Sequence, residues 1–209
     1  MSIKTFKLSM ITLLSCVFVL TGCSEEPQPP TAGKEYQKLA EPLDNLDPVT
    51  EIFSLTCGHC RAIEQVIPEL EEATNQTIGK MHVTFNESAQ IAAMIYYTAV
   101  MQSDTPLSHA TMDELFAAVQ MMGQVTQEEQ KAAIEAVFAN QGWTSPYHID
   151  DQQQSEMLAL FQEADDVSIK GRINSVPTFI INGQYQVNTA AHEDTQAIAN
   201  TINYLLNKE

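Results

Sequence analysis

The chain has 209 residues, 44% of them hydrophobic, with 27 acidic against 10 basic side chains and a formal charge of −17. That length fits one domain of ordinary size, or a domain carrying an insertion. The charge excludes a nucleic-acid binder, which needs a basic stripe to displace counterions from phosphates. Only 18% of residues are charged and apolar residues recur throughout, which excludes wholesale disorder, and four cysteines are too few for a disulfide-scaffold miniprotein.

Lys4 and Lys7 precede an apolar run from Leu8 to Leu20, which Thr21-Gly22-Cys23 closes. A charged start, a short apolar run and small residues before a cleavage point form a secretory signal peptide. The run falls short of the roughly 20 apolar residues of a bilayer span, so an uncleaved anchor is the weaker alternative. Leu20-Thr21-Gly22-Cys23 resembles the lipobox of bacterial lipoproteins. That resemblance implies that residues 1–22, with Cys16, are removed and that Cys23 carries the lipid and becomes the new N-terminus. Two or three acyl chains anchor stably where one does not. Ser24 after the cysteine favours the outer over the inner membrane, by the sorting rule of enterobacterial lipoproteins. Ser24 to Gly33 holds three prolines and no bulky apolar residue. It reads as a tether reaching at most about 35 Å.

Val49 to Leu55 is a short run of β-formers, and Cys57-Gly58-His59-Cys60 follows at once. From Arg61 the pattern turns helical, with Ile63, Val66, Ile67 and Leu70 on one face and Thr56 as the expected cap. A lone C-x-x-C at a strand-to-helix junction in an oxidising compartment points to redox chemistry. Unpaired N–H groups at a helix start stabilise a thiolate on Cys57, and His59 adds to this. A structural disulfide closing so short a loop would contribute little. Zinc wants four ligands, and only His59 and His82 stand ready to join the two cysteines.

Helices are expected at about 88–102 and 151–170, with a last one at about 194–207. Thr111-x-x-Glu114 and Thr126-x-x-Glu129 have capping-box form. Met112, Leu115, Phe116, Val119 and Met122 then share one helical face, as do Ile134, Val137 and Phe138. From Lys170 to Val187 the order reads helix end, loop, strand, tight turn, strand, with Asn182-Gly183 as the hairpin signal. Pro177, just before a strand, suits either a cis turn or an ordinary trans loop.

These motifs together resemble the DsbA family of bacterial thiol-disulfide oxidoreductases. The likeness runs from Gly33-Lys34-Glu35-Tyr36-Gln37-Lys38-Leu39 through Glu51-Ile52-Phe53-Ser54, the C-x-x-C helix and Lys80-Met81-His82-Val83-Thr84-Phe85, and returns at Val176-Pro177 and Asn182-Gly183-Gln184-Tyr185. It implies an α/β thioredoxin fold interrupted by an all-helical insertion. The expected division is a signal at 1–22, a lipidated tether at 23–34, thioredoxin parts at 35–86 and 167–209, and the insertion at 87–166.

By position, the resemblance makes Cys57 the attacked sulfur, Cys60 its buried partner and His59 the group stabilising the thiolate. Pro177 matches the cis-proline facing the disulfide, and the backbone of Val176 would hold an extended substrate strand. Glu51, Glu64 and Lys80 match charged positions near the site. Strand alternation puts Glu51 on the face of Val49, Phe53 and Leu55. There it would be a buried acid shuttling the Cys60 proton, or else a solvated strand-end carboxylate paired with Lys80. Gly58 departs from the family archetype, which has proline, and Gly58-His59 is the dipeptide of protein disulfide isomerase.

The implied function is a periplasmic, membrane-anchored oxidase, monomeric, acting on reduced exported proteins and reoxidised by a DsbB-like quinone-linked membrane protein. The chemistry calls for no metal or organic cofactor and involves no nucleic acid. A reductase or isomerase is the rival within enzymes; a DsbC-type isomerase is disfavoured by the lack of a recognisable dimerisation domain and by Val176, rather than Thr, before Pro177. A non-catalytic binding lipoprotein of the same fold is the rival outside them.

Overall fold

The computed structural model describes residues 28–121 and 123–208. The signal segment, Cys16, Cys23 and Met122 lie outside the described residues.

Thr31 to Lys34 form a turn into β1 (Tyr36–Lys38), where Gly33 N–H donates to the Tyr36 carbonyl at 2.7 Å. β2 (Val49–Phe53) is buried along its whole length because it is central, with a strand on each side. It leads into α1 (Gly58–Glu64), α2 (Ile67–Thr74) and β3 (Gly79–His82), which returns parallel to β2 with Glu51 opposite Lys80. Four helices follow before the chain rejoins the sheet: α3 (Glu87–Gln102), α4 (His109–Gln120), α5 (Gln127–Gln141) and α6 (Asp151–Lys170). β4 (Thr178–Ile181) then pairs antiparallel with β2, β5 (Tyr185–Val187) pairs with β4 and β1, and α7 (Thr195–Leu206) closes the described chain. The sheet order is β1-β5-β4-β2-β3. This is a thioredoxin-like mixed sheet carrying a helical insertion between β3 and β4.

Alternation along the strands divides the core. Val49, Phe179 and Ile181 pack with Ile67 and Leu70 of α2 and Ile202 and Leu205 of α7. Ile52 and Ile180 turn to the other face and meet Leu43, Val83 and Val167. Phe53 and Leu55, at the end of β2, join a third cluster with Phe116 of α4 and Phe138 of α5, so the insertion packs directly behind the start of α1. Burying each such aromatic side chain is worth about 2–3 kcal/mol.

At the hairpin, Asn182 and Gly183 both adopt positive φ (50° and 63°), as a two-residue connection between twisted strands demands. A Cβ on Gly183 would lie 2.1 Å from the Leu43 carbonyl oxygen, so glycine is required there by contact as well. The outer edge of β3 is covered by α3. Tyr96 hydroxyl donates to the Lys80 carbonyl at 3.3 Å, while Tyr97 hydroxyl accepts from His82 N–H at 3.1 Å and donates to the His82 carbonyl at 2.9 Å.

Three local expectations are corrected. The helix after the cysteines is two helices, because Pro68 at the second position of α2 has no N–H to continue the ladder of α1. Thr56 does not cap α1; its hydroxyl pairs with Ser54 Oγ at 2.8 Å, and Cys57 takes the cap position. α4 is capped by Ser108, whose Oγ accepts from Thr111 N–H at 3.1 Å, so Thr111 lies inside the helix. The Thr126–Glu129 capping box forms as expected, and Asp194 caps α7.

Candidate active site

Cys57 and Cys60 are both free thiols at the start of α1. Cys57, at the cap, is half-buried; its Sγ accepts from Cys60 N–H at 3.2 Å. Cys60, one turn further, is 0% exposed and packs among the core residues behind it. The Cys57 thiol also lies 3.6 Å from the Val176 carbonyl, on which it can donate. The Val176–Pro177 peptide is cis, and its carbonyl is the one that faces the Cys57 thiol.

The two sulfurs are electrostatically unequal. The Cys57 pKa falls to about 6, first because Cys60 donates a hydrogen bond to its thiolate, then through the N–H groups of Cys60 and His59 and the nearby His59 imidazole. Burial opposes this but does not win. Cys60 moves the other way: its own hydrogen bond to the Cys57 thiolate and its burial hold its proton firmly. Such a pair favours one exposed thiolate and one buried thiol, the arrangement that disulfide exchange uses.

Behind Cys60 lies a buried charge cluster. Glu51 of β2 is 1% exposed. Lys80 Nζ from β3 sits 2.5 Å from Glu51 Oε2 and 2.8 Å from Glu64 Oε2 of α1, the latter contact out of line for a hydrogen bond. Burial raises the Glu51 pKa despite the lysine. Burial also works against the charge on Lys80, but two carboxylates outweigh it and the lysine pKa rises. The ammonium is therefore the fixed charge of the cluster, and burial eases proton uptake by Glu51. Its two sequence-level alternatives are each half right: it is buried, and it is paired with Lys80.

His109 Nδ1 from α4 meets Glu64 Oε1 at 3.0 Å, where the cluster approaches the surface. His82, offered as a zinc ligand, has both nitrogens occupied: Nε2 accepts from Leu55 N–H at 2.8 Å and Nδ1 faces the Val83 carbonyl at 2.7 Å. Among the described residues no group of His, Cys, Asp and Glu is arranged to hold a metal ion. Cys57, Cys60, His59, Val176 and Pro177 are thus brought together beyond the end of β2, while Glu51, Glu64 and Lys80 form a buried cluster of their own, from which Glu51 acts electrostatically on both cysteines. Missing from the sequence-level site are His109 and Gln120, whose amide donates to the carbonyls of Leu55 and Cys57. A glutamine ending an amphipathic helix gives no local signal of such a contact.

A family model described as thioredoxin matches residues 44–201. The chain belongs to the thioredoxin family. Within that family it is a DsbA-like thiol:disulfide oxidoreductase. The thiol:disulfide interchange protein DsbA of Salmonella typhimurium is 28% identical over 196 residues, covering 85% of this chain and 88% of the relative. Its counterpart in Pseudomonas aeruginosa is 20% identical over 206 residues, covering 96% and 95%. The crystal structure of Pseudomonas aeruginosa DsbA superposes with a TM-score of 0.64 at 21% identity, over 85% of this chain and 93% of that one. Proteus mirabilis DsbA, solved with a non-covalently bound peptide, gives 0.62 at 19% identity, over 86% and 99%. These neighbours share the interrupted thioredoxin fold. No helix among the described residues is long and apolar enough to cross a membrane.

Proposed function

We propose that this DsbA-like chain is a lipid-anchored oxidase of the periplasm that introduces disulfides into exported proteins through Cys57-Gly58-His59-Cys60. The observation carrying this reading is the asymmetry of the pair: Cys57 is half-exposed at a helix start with a pKa near 6, and Cys60 is buried with its proton held. A substrate thiolate attacks Cys57 Sγ of the oxidised pair. The Cys57–Cys60 bond breaks, the electron pair leaves on Cys60, and Cys60 takes up a proton. The raised pKa of buried Glu51, and its electrostatic effect on Cys60, support a role for Glu51 as the acid that supplies it. A second substrate thiolate then attacks the substrate sulfur of the mixed disulfide and displaces Cys57 as its stabilised thiolate. Substrate leaves oxidised, and both enzyme cysteines are reduced.

The carbonyl of Val176, facing Cys57, is the backbone group on which an extended substrate would align. Two electrons per cycle pass to a DsbB-like quinone-linked membrane protein, the route that keeps a periplasm oxidising kinetically. Cys23 supplies the anchor, with the outer membrane favoured by Ser24, and the Pro-rich segment after it is the tether.

The assignment of the sulfurs is tested by trapping. Cys60→Ser accumulates mixed disulfides through Cys57, because nothing internal displaces the substrate, and Cys57→Ser does not. Equal trapping by both variants, or by neither, overturns the assignment. Thiol trapping in intact cells tests the direction: an oxidised pair supports the oxidase, and a reduced pair the reductase or isomerase.

A further inference from the structure

The turn that delivers Cys57 is held from two sides. From the sheet, His82 Nε2 accepts the Leu55 N–H at 2.8 Å. From the helical insertion, Gln120 Nε2 donates to the Leu55 carbonyl at 3.0 Å and to the Cys57 carbonyl at 3.2 Å. Within the turn, Cys57 N–H donates to the Ser54 carbonyl at 3.0 Å. Gln120 is the last residue of α4, 63 positions beyond Cys57, and belongs to the part of the chain inserted into the thioredoxin fold.

The Cys57 carbonyl and the Gly58 nitrogen belong to one peptide plane, and that plane starts α1. Its tilt decides where the next N–H groups point. The N–H groups of His59 and Cys60 are the backbone donors that favour the Cys57 thiolate. The Cys57 carbonyl also accepts the first helical bond of α1, from Arg61 N–H at 3.2 Å, but no side chain on Gly58 helps to fix the plane. Gly58 has no side chain, and nothing lies within 4 Å of the place a Cβ would take. Glycine also leaves the backbone its widest freedom at this point. The Gln120 amide adds to the Arg61 N–H a second donor on that carbonyl, one that comes from outside α1 and so fixes the plane against the rest of the fold.

We propose that Gln120 is a positioning residue for the thiol chemistry: it fixes the Cys57–Gly58 peptide so that the His59 and Cys60 N–H groups stay aimed at Cys57 Sγ. The helical insertion then does more than cover the core. It holds, from outside the thioredoxin fold, the hydrogen-bond geometry on which the reactivity of Cys57 depends. The inference rests on Cys57 being the attacked sulfur.

The test is the pH profile of Cys57 alkylation in the reduced full-length protein, with the modified residue identified by mass spectrometry. Gln120→Met keeps the side-chain length and removes the donor. It moves the Cys57 midpoint upward by about one unit, a tenfold gain in proton affinity, and shifts the equilibrium with glutathione severalfold towards the enzyme disulfide. Adding Gly58→Ala, which fits the open space and restricts the same peptide, restores part of that shift. If Gln120→Met does not fold, Gln120→Asn, an amide one methylene too short to reach, reads the same midpoint. A variant with a lowered melting temperature but an unchanged midpoint and glutathione equilibrium makes Gln120 a packing residue and overturns the proposal. A wild-type Cys57 that ionises no more readily than free cysteine overturns instead the assignment of the attacked sulfur.

Discussion

His82 makes the stability of this protein fall in mild acid, and the size of the effect follows from its surroundings. The imidazole is 0% exposed, meets Phe53 edge-on at 5.0 Å between ring centres and stacks on Tyr96 at 5.9 Å. Its Nε2 must be unprotonated to accept from Leu55 N–H. Burial accordingly lowers its pKa from 6.5 to about 4, against the pull of the Val83 carbonyl. In the unfolded chain the ring gains a proton below about pH 6.5, while the folded protein refuses it until about pH 4. The unfolded state therefore binds more protons in that window, and stability falls as the pH drops through it. The loss is about 2 kcal/mol at pH 5 and about 3 kcal/mol at pH 4 relative to pH 7. Because Leu55 lies two residues before Cys57, the same protonation also releases the turn that carries the reactive sulfur. The comparison is with His82→Gln, which keeps an acceptor for Leu55 N–H and cannot titrate in this range. Urea unfolding of both proteins from pH 7 to pH 4 gives the difference in stability, which narrows by about 3 kcal/mol if the ring is responsible. Carboxylates common to both proteins cancel. Parallel stability curves would falsify the account.

Other expectations concern the site and the anchor. Alkylation of Cys57 in the reduced protein has a midpoint near pH 6, and a midpoint near 8–9 would show that the helix start and Cys60 do not stabilise the thiolate. Glutathione equilibration gives a potential between about −180 and −120 mV, the values for protein disulfide isomerase and DsbA, whereas one near thioredoxin's, about −270 mV, refutes the oxidase direction. Lys80→Met leaves Glu51 and Glu64 facing each other in the core without a cation. It destabilises by about 3–5 kcal/mol at neutral pH, with partial recovery in acid as the carboxyls protonate; an unchanged urea midpoint contradicts the cluster. Cys23→Ala frees the protein from membranes or blocks its maturation while leaving the redox activity of the purified domain intact, and mass spectrometry of an unmodified N-terminus elsewhere refutes the lipobox.

What could be read from the sequence was whatever neighbouring residues encode. The β-branched run at Val49–Phe53, the Asn182-Gly183 hairpin, the Thr126–Glu129 box and the C-x-x-C junction each carry their physics within a few positions. Errors arose where two local signals competed. Ser108-x-x-Thr111 and Thr111-x-x-Glu114 offer the same cap one turn apart, and Ser108 prevails because α4 starts at His109. Thr56 had the chemistry of a cap, but Ser54 engages its hydroxyl, and a thiol acceptor took the position. Pro68 was a legible break that the apolar spacing of Ile63, Val66, Ile67 and Leu70 concealed. The long-range contacts were not encoded locally at all. Gln120 reaches Leu55 across 65 positions, and His109 reaches Glu64 across 45. Only the fold makes them neighbours.

A disulfide oxidoreductase that acted on extended protein chains would also have to avoid pairing with them indiscriminately. Extended client segments carry rows of free N–H and C=O groups, and an open sheet edge is a template on which any of them can pair without regard to sequence. The parallel edge strand β3 would be such a template. The hydroxyls of Tyr96 and Tyr97 occupy the outward Lys80 carbonyl and both the N–H and the carbonyl of His82, so an arriving strand finds these groups already taken. Two phenols thereby act as selectivity elements. They close a landing place for extended chains on the insertion side of the molecule, away from the Val176 carbonyl that faces Cys57.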